Sequence, residues 1–235
     1  SIHVLNTLQD LKNAGFAVRQ TTIDRAAQYI ANEVQSMKSR NEYVISTDTI
    51  INAAYALSRT SSPASYTSAG WFRNEILTRA TPAFVSEGAS SNTLGYLALI
   101  AVKDGYGAAF KDRVFTALIN RVDIDSRGAY VKSNPNNVTW DYYETPVKNT
   151  ALLLKALVAD RNNYSQTDKI MRWLLASRSA DGAWGSTNTT LSVVDAFTDY
   201  LKWKKETESE FTLDFKVDGK QTQSFAFDKK NILSL

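Results

Sequence analysis

Two acids bracket two tyrosines beside a tryptophan in the run Trp140-Asp141-Tyr142-Tyr143-Glu144. An aromatic platform with a pair of carboxylates is what acid–base cleavage of a glycosidic bond requires. Neighbours in sequence rarely span a sugar ring, so a catalytic pair would need its second acid from elsewhere, with Glu87 and Asp104 as candidates. The alternative use of such a loop is contact: Trp and Tyr are the residue types that dominate binding energy at protein interfaces.

Little else in the chain carries chemistry. Cysteine is absent and His3 is the one histidine, which removes thiol nucleophiles, disulfides, Cys-ligated zinc and the usual Ser-His-Asp triad. Asp123-Ile124-Asp125 and Thr47-Asp48-Thr49 come nearest to an Asp-rich magnesium or protonating motif, and Asp123 and Asp125 read as turn residues. No catalytic residue, cofactor or metal site is expected. The 27 basic residues exceed the 24 acidic ones by too few to track a phosphate backbone, and the bases are interleaved with acids, as from Lys202 to Glu210; nucleic acid is not an expected partner. No apolar run approaches membrane-spanning length, so no membrane contact by this segment is expected. Ser1 already lies in a helical pattern with no leader-like region before it, and the chain reads as a piece of a longer protein.

The elements that must position these residues are mostly helices. Val4, Leu8 and Leu11 recur at helical spacing up to Gly15, and Ile23, Ala26, Ala27, Ile30 and Val34 make a second apolar face, with Thr21 and Asp24 spaced as a capping box. Further faces are Ile50/Ala54/Leu57, Trp71/Phe72/Ile76/Leu77, Leu94/Leu97/Ala98/Ala101, Phe110/Val114/Ala117/Leu118 and Val147/Ala151/Leu154/Val158, the last opened by a Thr145 cap and Pro146. Ser165 and Asp168 form another capping box before Ile170, Trp173 and Leu174. Leu191, Val194, Phe197, Thr198 and Leu201 close the series. About nine helices joined by short turns result.

The turns share a glycine followed by an aromatic: Gly15-Phe16, Asp104-Gly105-Tyr106, Arg127-Gly128-Ala129-Tyr130 and Asp181-Gly182-Ala183-Trp184. Glycine permits the turn, and the aromatic folds back on the layer beneath. Two stretches leave the helical period. Residues 122–145 are polar and turn-rich and suit a long excursion with a small β-hairpin. After Glu210, Phe211, Leu213, Phe215 and Val217 alternate with polar residues, Asp218-Gly219 supplies a type I′ turn, and Phe225 and Phe227 alternate on the return.

The segment from Ile170 to Leu201 resembles the C-terminal helices of the thioester domain in the alpha-2-macroglobulin and complement family. The residues that carry this are Trp173-Leu174, the Asp181-Gly182-Ala183-Trp184 turn, Ser186-Thr187 and the helix through Thr190. Thr139-Trp140 with Glu144-Thr145-Pro146, and the stretch from Val4 to Ile30, look like two further parts of the same domain. The resemblance implies an α/α toroid of helical hairpins in two concentric layers, incomplete at its N-terminus and spanning residues 1–208, with residues 209–235 as the opening strands of a β-domain. Trp173 to Trp184 is also similar to the Gln-Trp repeat of terpene cyclases, with Arg178 where that motif holds Gln.

The family's Gly-Cys-X-Glu-Gln thioester stretch does not occur in this cysteine-free chain. It either lies upstream or is missing, as in bacterial homologues without a thioester. The implied role is a non-catalytic helical domain of a large protease-trapping protein, periplasmic, envelope-attached or secreted. Its implied partners are neighbouring β-domains of the same chain and, through them, target proteases. The structural motif is Trp173, Asp181, Gly182, Trp184, Ser186 and Thr187; the interaction loop is Trp140, Asp141, Tyr142, Tyr143 and Glu144. The alternative is a glycan-active enzyme on the same toroid, using the carboxylates of that loop.

Overall fold

The computed structural model describes residues 1–13, 15–40, 45–103, 105–134, 144–161, 163–205, 210–218 and 220–227. Nine α-helices run α1 (Ile2–Asn13), α2 (Gln20–Arg40), α3 (Thr47–Ser58), α4 (Pro63–Arg79), α5 (Ser91–Lys103), α6 (Ala108–Ile119), α7 (Pro146–Ala159), α8 (Thr167–Ala176) and α9 (Thr187–Lys204). A π-helical turn, Phe84–Gly88, precedes α5. Strands β1 (Val122–Asp125) and β2 (Gly128–Val131) pair antiparallel between α6 and α7, and β3 (Phe211–Val217) pairs with β4 (Lys220–Phe227) after α9.

The odd-numbered helices form an inner ring. α3 packs on α1 and α5, and α7 packs on α5 and α9. Side-chain contacts fix their common direction. The first turns meet where Thr93 donates to Asp48 and where the Ser91 N–H donates to Glu144 Oε1 at 3.1 Å, and the last turns meet where Lys103 donates to the Ser58 carbonyl. Lys155 meets Asp195 midway along α7 and α9, and Asn188 at the start of α9 reaches His3 Nδ1 on α1 at 3.3 Å, which brings the two ends of the ring together. The even helices lie outside: α2 against α1, α3 and α4, α4 against α3, α6 against α5, α8 against α7. The architecture is an α/α toroid of helical hairpins in two layers, followed by a β-hairpin.

Burial follows from this placement. α5 is buried on every side from Ser91 to Ala101, and α7 nearly so from Lys148 to Leu157, as suits helices enclosed by neighbours. α2, α3 and α4 bury Ile23, Ala27, Ile30, Val34, Ile50, Ala54, Leu57, Phe72 and Ile76, as their periodicity predicts.

Two registers differ by one position from the spacing. In α1 the buried residue is Leu5, while Val4 and Leu11 are exposed; in α9 Thr189, Val193, Ala196 and Tyr200 are buried, while Val194 is exposed. In both helices the inward stripe is mixed with polar residues that point at the ring axis, so apolar spacing alone selects the wrong face. Neither capping box forms. α2 begins at Gln20, two residues before the start a Thr21 cap would give, with Gln20 donating to Asp24 at 2.8 Å; α8 begins after Gln166, and Asp168 instead accepts from the Tyr200 hydroxyl at 2.9 Å. The Thr145 cap does form, accepting from the Lys148 N–H at 3.1 Å with Pro146 behind it.

Gly95 sets the spacing between the two most buried helices. A Cβ there would stand 2.6 Å from Leu152 Cβ on α7. Gly70, exposed on α4, would meet nothing within 4 Å. Helix propensity favours alanine at both sites, and packing reverses the sign at one: Gly70→Ala raises stability by about 0.5–1 kcal/mol, whereas Gly95→Ala lowers it by about 1–3 kcal/mol because two helices must separate. Denaturant midpoints of the two variants check this; a stabilised Gly95→Ala would refute the close packing.

Candidate functional site

Polar side chains gather in three regions, two of which the sequence draws attention to. The first is the outer end of the Trp173 motif. α8 presents Trp173 to the β1–β2 hairpin, where Tyr130 stacks on its ring at 4.9 Å with 14° between planes and Arg127 lies 4.9 Å from the ring centroid. The indole N–H donates to Asp125 Oδ2 at 3.0 Å, and Asp125 also accepts from Arg127 and from the Gly128 N–H. Gly128, at φ 148°, admits the approach: a Cβ there would sit 2.3 Å from the Lys169 carbonyl. Trp173 thus clamps the small hairpin to α8.

The last helical hairpin is held instead by Trp184. Its indole N–H donates to the Leu174 carbonyl at 2.7 Å, and its ring meets Phe197 of α9 edge-on at 5.7 Å. The turn before it is ordered by Asp181, which accepts from Ser179 at 2.6 Å and from the Ala183 N–H at 3.0 Å, with Gly182 at φ 86°. These bonds, the Ser179 hydroxyl first, hold the Asp181 carboxyl below its ordinary range. Ser186 caps α9, accepting from the Thr189 N–H at 3.2 Å, and Thr187 is the exposed first helical residue. Tyr106 is buried against Phe110 in the same manner as these aromatics, whereas Phe16 is 64% exposed and staples nothing.

The second region is the first-turn end of the ring. Of the predicted interaction loop, Trp140, Asp141, Tyr142 and Tyr143 lie outside the described residues, as does Asp104. Glu144 is committed to the helix starts: it accepts from the Ser91 N–H and from Asn149 Nδ2 at 3.2 Å, and Arg121 lies close enough to feel its charge. Glu87 lies in the π-helical turn, exposed, and its carbonyl accepts from Asn134, which also bonds the Ala89 carbonyl. Asp123 pairs with Lys132 at 3.3 Å.

The third region, on the axis, was not singled out from sequence. All five inner helices line a cavity of about 40 Å³ that includes Asp10, Tyr55, Arg59, Tyr96, Lys155 and Asp195. Arg59 pairs with Asp10 and contacts Asn6; Lys155 pairs with Asp195 and lies 3.5 Å from Asp199. Tyr55 and Tyr96 pack at 4.8 Å between centroids. Burial raises the Tyr55 hydroxyl pKa despite Lys155 and Arg59 beside it, so it stays protonated. Burial opposes the charge on Lys155, but the carboxylates of Asp195 and Asp199 favour it and the ammonium titrates above its usual range. Arg59 is likewise raised, burial being outweighed by the hydrogen bond to Asp10 and the charge of its carboxylate.

Such a space holds about one water, and the charges around it are mutually compensated. No other signal in the sequence marks these residues, because they come from five separate helices. Among the described residues no cluster of three His, Asp or Glu side chains is arranged to hold a metal ion, and no helix is long and apolar enough to cross a membrane. No family model matches the sequence, and no curated protein matches it.

The Asp125 carboxyl, which burial would raise, is held at about 2 by hydrogen bonds from Arg127 and Trp173. Its folded value lies below the unfolded one of about 3.9, so its contribution is complete above pH 4 and is lost as pH falls toward 2. Asp125→Asn should flatten the stability profile in that window, and an unchanged acid limb would contradict it. Trp173→Ala should cost about 3–5 kcal/mol and Trp184→Ala, only half-buried, about 2–3 kcal/mol, read by chemical denaturation.

On the axis, Asp10→Ala leaves Arg59 without its carboxylate and should cost about 3 kcal/mol, while a paired change of Arg59 and Asp10 to Met and Leu should recover much of it. Equal losses in the single and double variants would argue against the pairing.

Proposed function

We propose that this chain is a non-catalytic helical-toroid domain of an alpha-2-macroglobulin-like protein, contributing to the trapping of endopeptidases at the cell envelope or outside the cell and carrying no thioester of its own. One observation carries the reading: a ring of paired helices, its last pair locked by the Asp181-to-Trp184 turn, is followed by a β-hairpin whose Phe211, Leu213, Phe215 and Phe225 are exposed. An isolated two-stranded hairpin buries too little to be stable alone. Strands of a following β-domain would cover these side chains, and neighbouring β-domains of the same protein are the proposed partners.

The axis supports a scaffold role. Enzymes bind small ligands in cavities of about 300–1,000 Å³, whereas the ring centre is filled by charged pairs that brace the helices. Glu144, the described acid of the aromatic loop, serves the starts of α5 and α7, where a carboxylate complements the helix dipole.

The test uses the full protein that contains this domain, incubated with a panel of endopeptidases. A trapped protease should lose cleavage of a large protein substrate while keeping cleavage of a short chromogenic peptide. Equal retention of both, or equal loss of both, would overturn trapping. Hydrolysis of an oligosaccharide panel that disappears in Glu144→Gln, with an unchanged thermal midpoint, would replace it with glycan chemistry.

A further inference from the structure

We draw no further inference here: the strongest candidate, the groove of about 420 Å³ between the π-helical turn Phe84–Gly88 and the face of α6 that carries Arg113 and Arg121, supports no ligand because Asn134 bonds the Glu87 carbonyl of that turn and the chain that follows it, Asp141 included, lies outside the described residues, so nothing in the structure shows what covers the two cations.

Discussion

Five helices arranged side by side in the same direction impose the constraint on which this molecule depends. Their dipoles add instead of cancelling, so one end of the ring gathers unbonded N–H groups and the other gathers carbonyls. The side chains answer this end by end. Asp48 and Glu144 sit where helices start, and Glu144 accepts a backbone N–H directly. Lys103 and Arg73 donate to carbonyls where helices stop. Between the ends, Arg59 and Lys155 are balanced by Asp10, Asp195 and Asp199 within a space too small for anything but solvent.

This arrangement accounts for the charges gathered on the axis. The charged groups nearest the axis are structural counterions, and their neighbours keep Lys155 and Arg59 protonated and Tyr55 neutral. The Trp173 and Trp184 clamps belong to the same economy. Each ties an outer element to the ring through an indole N–H as well as a ring face, so a single side chain provides both area and direction.

The helices were legible because their apolar spacing is regular where one face meets another helix, as at Ile23, Ala27, Ile30 and Val34. Thr145-Pro146 marked a true helix start since both residues act locally. Spacing misled in α1 and α9, whose inward faces carry Asn6, Asp10, Ser192 and Asp195 toward the axis; a polar residue facing other polar residues inside the ring looks like surface in one dimension. The unformed capping boxes at Thr21 and Ser165 have a related cause. Asp24 and Asp168 were taken by other donors, Gln20 and Tyr200, the second of which lies in a different helix.

By itself the sequence determined the helical class, the positions of the turns, the alternation of strands after Glu210 and a composition with no cysteine and one histidine, because each rests on residue type or on contacts a few positions apart. The tertiary structure decided which residue of a helix faces inward, that Trp173 serves the β-hairpin while Trp184 serves the last helical pair, and that acids and bases from five helices meet on one axis. Those outcomes depend on neighbours brought together from positions up to 185 residues apart, as His3 and Asn188 are. No local period encodes such a meeting; the closing of the ring creates it.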